Sequence, residues 1–157
     1  MSDIRWMVRR DLKEVIDIEN GCFAANTTWT EDDFLITLKK HDCTGIVYEH
    51  DGKLVGFLMY ELSKTELFII NVAIHPDYQR KGIGTQLINK LVGKLSFDRR
   101  TKIKGMVRDN NLDVQLFLKH LGFKAIQVLK NYYEDFNQDG YLMQYKINQN
   151  QEAECVI

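Results

Sequence analysis

The decapeptide HPDYQRKGIG, His75 to Gly84, holds the only proline of the chain, three consecutive basic or amide side chains and two closely spaced glycines. An apolar run, LFIINVAI (67–74), leads into it, and TQLINKLVGKL (85–95) leads out with helical spacing. A strand that ends at Ala73-Ile74 and a helix that starts near Gly82 leave several backbone N–H groups unpaired at one junction. Such a helix end carries partial positive charge and free donors, which suits phosphate oxygens. Gly82 and Gly84 take side chains away from the main chain and permit unusual φ. Arg80 adds a bidentate fork, Lys81 a point charge, and Pro76 stiffens the strand exit. Neither of two common phosphate loops fits: there is no Gly-Lys-Ser/Thr and no third glycine.

Outward from the junction the elements alternate. IRWMV (4–8) reads as a strand. Leu12, Val15, Ile16, Ile18 and Phe23 recur at helical spacing, giving a helix from Asp11 to Phe23. Thr30 with Asp33 three residues on predicts an N-cap and a short second helix. Asp51-Gly52, a pair that tolerates positive φ, joins two apolar runs as a hairpin. ELFIINVAI (66–74) is near-continuously apolar and rich in β-branched residues, which predicts a central strand buried on both faces. Ile83, Leu87, Ile88, Leu91, Val92 and Leu95 stripe one helix face. KIKGMVR (102–108) is a strand, LDVQLFLKHLG (112–122) a helix stopped by Gly122, and FKAIQVLKNYY with GYLMQYKI a closing strand pair. The expected fold is α/β: one mixed central sheet of six to seven strands with helices on both faces.

The chain has 157 residues, 45% hydrophobic and 27% charged, with net charge −1. That length suits one domain over 1–147, followed by a polar tail over 148–157. The charge balance gives no support for nucleic-acid binding, and no apolar stretch approaches the ~20 residues that span a bilayer. Cys22, Cys43 and Cys155 lack metal-ligand spacing, so no metal is expected. Their odd number suits a reduced, cytoplasmic interior.

The string NVAIHPDYQRKGIGTQLI (71–88) resembles the acetyl-CoA-binding motif of the GNAT superfamily of N-acetyltransferases, Gln/Arg-x-x-Gly-x-Gly/Ala after a strand. The likeness continues through IENGCFAANTTWTEDDF (18–34), VRDNN (107–111), FLKHLGF (117–123) and KNYYED (130–135), and covers essentially the whole chain. It is similar to the branch that acetylates an alanine of a ribosomal protein. The resemblance implies the GNAT fold, acetyl-CoA as co-substrate and an amine acceptor, with a protein or peptide N-terminal α-amine as the leading acceptor. It implies that the backbone of the strand at Val72, Ala73 and Ile74 takes the pantetheine arm, as an added strand would. Arg80, Lys81, Gly82, Ile83, Gly84 and Thr85 would surround the diphosphate, and Asn111 would contact the cofactor arm. The oxyanion donor would be the N–H of Val72 or a neighbour.

The pattern breaks at two places. The branch has a general-base glutamate before its Val-Arg pair and a tyrosine acid on the following helix, and those positions hold Met106 and Leu118. Candidate replacements are Glu66, acting through water or simply solvated at a strand end, and Tyr132 beside Tyr133, as proton donor or as amphipathic packing. His75 and His120 read as surface residues, and Asp109 as the cap of the next helix. Phe23, Trp29 and Phe34 either wall the acceptor site or pack. Glu31, Asp32, Asp33, Glu134 and Asp135 either attract a cationic acceptor or form a solvated face. Two other functions stay open: a small-molecule amine acetyltransferase of the aminoglycoside or polyamine kind, and a catalytically weak acyl-CoA-binding protein. A monomer and a homodimer are both compatible with the sequence.

Overall fold

The computed structural model describes residues 1–24 and 27–147. The expected polar tail (148–157) and Cys155 lie outside the described residues. In chain order the elements are β1 (Ser2–Trp6), α1 (Leu12–Cys22), α2 (Glu31–Lys39), β2 (Cys43–His50), β3 (Lys53–Leu62), β4 (Glu66–Ile74), α3 (Ile83–Val92), β5 (Lys102–Arg108), α4 (Leu112–His120), β6 (Lys124–Tyr133) and β7 (Gln138–Lys146). The strand order is β1-β2-β3-β4-β5-β7-β6, a mixed seven-stranded sheet in which β4–β5 is parallel. The α/β expectation and its element order hold.

By contacts the chain forms two compact units, Met1–Leu62 with Ile70–Lys90, and Ser63–Ile69 with Leu91–Ile157. β4 and α3 therefore contribute residues to both.

In the first unit the local signals act as read. Asp51 (φ 51°) and Gly52 (φ 80°) both sit at positive φ, the turn that matches the twist of β2 and β3. Thr30 Oγ1 accepts the Asp33 N–H at 3.2 Å while the Thr30 N–H donates to Asp33 Oδ2 at 2.9 Å, closing a reciprocal cap at the start of α2. Val15 and Ile18 of α1, Phe34 of α2, Val47 of β2, and Phe57 and Met59 of β3 form the core. Ile83 of α3 lies on the other side of β3, against Gly56, where an added Cβ would stand 2.8 Å from the Ile74 side chain and 3.4 Å from Ile83. Adjacent residues on a strand face opposite ways, so α1 and α2 cover one face of β3 and α3 the other. Arg5 ties β1 to Asp11 through two bonds of 2.8 Å and to Glu49 on β2 at 2.6 Å, anchoring the turn into α1.

In the second unit Ile103, Val107, Leu118, Phe123 and Met143 are buried. Gly122 ends the turn after α4 at φ 98°, and its α-carbon faces the Tyr145 ring so closely that a Cβ would sit 3.2 Å from it.

One expectation about β4 fails. The strand is not buried on both faces: only Leu67 and Ala73 are buried, and the other seven residues are partly exposed. The β4–β5 ladder covers only Glu66–Ile69 against Lys102–Gly105, so the strand is sealed over less than half its length.

Candidate functional site

The junction after β4 is built from short-range constraints. The Asp77 N–H donates to His75 Nδ1 at 3.1 Å, capping a single 3₁₀ turn over Pro76–Tyr78. Two residues then adopt left-handed backbone, Arg80 at φ 64° and Gly82 at φ 82°. For Arg80 this conformation costs roughly 1–2 kcal/mol; at Gly82 it costs nothing. A Cβ on Gly82 would meet no atom within 4 Å, so the glycine is required by its φ and not by crowding. Gly84 lies inside α3 and has no positive φ, so the expected need for unusual φ holds at Gly82 alone. The Gln86 N–H donates to Gly82 O at 3.1 Å as the first helical bond. The N–H groups of Ile83, Gly84 and Thr85 thus fall in the first turn, which has no intrahelical acceptors for them. Lys81 Nζ stands 5.4 Å and Lys53 Nζ 5.6 Å from the Tyr78 ring centre, concentrating positive charge at the same end of the unit.

The direction of the β4 backbone follows from one bond. The His75 N–H donates to Val55 O on β3 at 2.8 Å. Backbone groups alternate along a strand, so Ala73 faces β3 while Val72 and Ile74 present N–H and C=O to the opposite edge. Ala73 is also buried in the α1–α2 core, so it serves packing rather than the cofactor contact expected of it. The Ile74 carbonyl accepts both the Gln79 Nε2 at 2.9 Å and the Cys22 thiol at 3.0 Å. Burial pushes the Cys22 thiol above its ordinary pKa, with Glu19 adding to the effect, so the sulfur acts as a protonated donor.

In the second unit Asn111 is the N-cap of α4, its Oδ1 accepting the Val114 N–H at 3.3 Å. Asp109, read from the sequence as that cap, instead bonds through its backbone to Asp139 and Gln115. Glu66 is in an ion pair with Lys104 at 3.1 Å. It lies opposite Lys102, six residues before Arg108, or roughly 20 Å along the strand. Glu66 and Tyr132 are therefore not one catalytic constellation.

Arg108 organises the far end of β5. Its guanidinium makes a two-pronged contact with Asp135 at 3.0 and 2.8 Å, donates to Gln138 Oε1 at 2.8 Å, and stacks 4.1 Å over the Tyr133 ring. Tyr133 meets Tyr132 edge-on, with ring centres 5.0 Å apart. Burial pushes the Tyr133 phenol up to about 12, with Tyr132 and Asp135 reinforcing and Arg108 opposing, so it stays protonated at neutral pH. Tyr132 is 47% exposed. Met106, where the resemblance places a base, has an apolar duty: a Cβ on Gly140 would lie 2.5 Å from its terminal methyl and 3.1 Å from the Tyr132 Cβ. Leu118 is buried in the core.

Phe34 is fully buried and stacks between Trp29 (5.0 Å) and Phe57 (5.8 Å), so it belongs to the core and does not wall a site. Of the acidic residues, Asp33 is used in the α2 cap and Asp135 by Arg108. Sequence reasoning missed Arg108 and the buried Glu19. Leu12, Val15, Glu19 and Cys22 follow 3–4 spacing, so a polar break in the buried stripe was the available signal for Glu19.

Among known proteins, the family model described as the acetyltransferase (GNAT) family matches residues 12–123. The ribosomal protein bS18-alanine N-acetyltransferase of Escherichia coli (strain K12) is 29% identical over 150 residues, 94% of this chain and 99% of that one. An N-alpha-acetyltransferase of Sulfurisphaera tokodaii is 30% identical over 123 residues, 70% of this chain and 73% of that one. The crystal structure of the Escherichia coli ribosomal-protein-S18-alanine N-acetyltransferase superposes with a TM-score of 0.83 at 26% identity, covering 95% of this chain and 96% of that one.

Proposed function

The chain belongs to the acetyltransferase (GNAT) family, and from that premise we propose that it moves an acetyl group from acetyl-CoA directly to the N-terminal α-amine of a protein, in the cytoplasm. The single observation that carries this reading is the first unit's run from β4 into α3. An outward backbone edge at Val72 and Ile74 is followed, through left-handed Arg80 and Gly82, by the open first turn of α3. An extended arm ending in a diphosphate fits that succession: strand-like pairing first, backbone donors and Arg80/Lys81 charge next. With the Ile74 carbonyl engaged by Gln79 and Cys22, the arm's pairing falls on Val72 and on the Ile74 N–H.

The chemistry asks for a neutral amine, a donor for the oxyanion and a proton for the departing thiolate. The Val72 N–H is the oxyanion donor. The amine nitrogen bonds to the thioester carbon, the C–S bond breaks toward sulfur, and the proton lost by nitrogen is the one the thiolate finally gains. No carboxylate stands at position 106 and no phenol at position 118, which selects the acceptor. At pH 7 a lysine amine near 10.4 costs about 4.6 kcal/mol to neutralise, whereas an α-amine near 7.8 costs about 1. A chain with an apolar residue at each of these two positions is therefore suited to N-termini. Bound orientation supplies most of the remaining acceleration, and Tyr132, which the family resemblance suggests, is the candidate proton donor to the departing thiolate.

The apolar pair Met106 and Leu118 favours a second reading, an acyl-CoA-binding protein with little turnover. One assay separates the two: acetyl-CoA is mixed with peptides beginning in Ala or Ser, free or N-terminally blocked, and thiol release is followed. Turnover that vanishes on blocking supports N-terminal transfer; saturable binding with no turnover on any peptide supports the binder.

A further inference from the structure

Glu19 is 1% exposed on α1, and among the described residues it forms no ion pair. Its two oxygens are used by two donors from different elements: Oε1 accepts the Trp29 N–H at 3.1 Å, ahead of α2, and Oε2 accepts Asn71 Nδ2 at 2.9 Å, on β4. Both partners can only donate at these atoms, so Glu19 serves as an acceptor-only carboxylate. Burial pushes its carboxyl pKa up while the Trp29 N–H and the Asn71 amide oppose that shift. A buried carboxylate without a cation is costly, and here its bonds join three segments within the first unit. One turn later on the same helix, Cys22 donates to the Ile74 carbonyl at 3.0 Å. The last turn of α1 therefore grips β4 on both sides of Val72.

The orientation of Asn71 follows. A carboxamide that gives its NH₂ group to a carboxylate turns its carbonyl oxygen the other way, and Asn71 is only partly buried. We propose that Asn71 Oδ1, turned outward by Glu19, receives an N–H of the attacking amine, and that Glu19 is the positioning residue which sets that orientation. The proposal rests on the acetyl-transfer reading above. It supplies, one residue from the oxyanion donor at Val72, a polar group on the amine side that positions 106 and 118 lack. An amide oxygen takes no proton at neutral pH. It therefore aims the lone pair of an already neutral amine at the thioester carbon, while the proton lost by nitrogen passes through water to the departing thiolate.

The experiment uses the full chain as wild type, Asn71→Ala, Glu19→Gln and the double variant, with an Ala-starting peptide as acceptor and acetyl-CoA affinity measured separately by calorimetry. Asn71→Ala is expected to lower peptide kcat/KM about tenfold, the scale of one lost hydrogen bond, with acetyl-CoA affinity within about twofold. Glu19→Gln allows the Asn71 amide either orientation and is expected to lose roughly two- to fivefold. The double variant should be no worse than Asn71→Ala, because Glu19 acts through Asn71. Independently of turnover, the Asn71 side-chain NH₂ should exchange slowly with solvent by NMR in the wild type and faster in Glu19→Gln. Unchanged peptide kinetics in Asn71→Ala, a Glu19→Gln penalty that persists in full in the Asn71→Ala background, or a fast-exchanging wild-type NH₂ group would each overturn the proposal. A wild type that binds no acetyl-CoA removes the acetyl-transfer reading instead, and the proposal with it.

Discussion

The Gln79 side chain donates to the Ile74 carbonyl at 2.9 Å, so the first residue of the QRKGIG string is tied back to the last residue of β4. This bond fixes the angle at which the loop leaves the strand, and with it the line from the Val72 edge to the first turn of α3. Gln79→Ala removes that tie and is expected to weaken acetyl-CoA binding about tenfold, on the scale of one hydrogen bond and its ordering effect. Calorimetric affinity that is unchanged or tighter would show that the loop needs no such tether.

Arg108 connects a charge to a phenol and to a turn. Replacing it by Gln removes the cation stacked on Tyr133 and the two-pronged contact with Asp135. Burial dominates the raised Tyr133 pKa and Arg108 opposes it, so Arg108→Gln should move that titration further above about 12. Spectroscopic titration of tyrosinate absorbance checks the sign. Peptide turnover should fall at least about tenfold, in line with lost positioning, with acetyl-CoA affinity retained. A tyrosine midpoint that drops would contradict this arrangement.

Position 106 is where a substitution should bring a gain. Met106→Glu places a carboxylate where the chain has a methyl group packed against Gly140. A general base is worth about 10²–10⁴-fold where it is well placed, and its help is greatest for the amine that is hardest to deprotonate. Turnover of a lysine-side-chain acceptor should rise by a larger factor than that of an α-amine at pH 7, read as the ratio of kcat/KM values. Equal factors for both amines would mean that deprotonation is not what limits the wild type.

The Arg5–Asp11–Glu49 cluster predicts acid sensitivity. Arg5 chiefly, and then the Val8 N–H, hold the Asp11 carboxyl below its ordinary 3.8 despite burial. A depressed carboxylate contributes stability that is complete above the ordinary value and lost as pH falls through the folded one. Wild type should therefore lose stability below about pH 4, and Asp11→Asn should be less stable by about 3 kcal/mol at neutral pH. The penalty should shrink as the pH drops through that window. A penalty independent of pH in denaturant titrations would assign the effect to packing.

Much of this architecture was legible because its signals are local. Asp51-Gly52, Thr30 with Asp33, the Gly122 stop and the apolar stripe of α3 each specify backbone within a few residues, and the loop from His75 to Thr85 is the same kind of object. What escaped depends on partners distant in sequence. A near-continuous apolar run at 66–74 looks doubly buried, yet how far a parallel ladder extends is decided by β5, about thirty-six residues later. Glu66 looked available until its register placed Lys104 beside it. Arg108 stood in a quoted motif, but its role needs Tyr133, Asp135 and Gln138 from the β6–β7 hairpin. Asp109 and Asn111 compete for one cap only two residues apart, and the backbone chose Asn111.

In the proposed mode of binding the backbone from Val72 to Thr85 holds acetyl-CoA, with Gly82 at the diphosphate. Calorimetric titration of acetyl-CoA into wild type, Gly82→Ala and Gly82→Glu tests it most directly. Both variants carry the same left-handed strain of roughly 1 kcal/mol, and a Cβ there meets no other atom, so Ala should retain saturable binding while Glu, placing a carboxylate against the diphosphate, should abolish it. Equal affinities for the Ala and Glu variants, or a wild type with no heat of binding, would contradict this mode of binding.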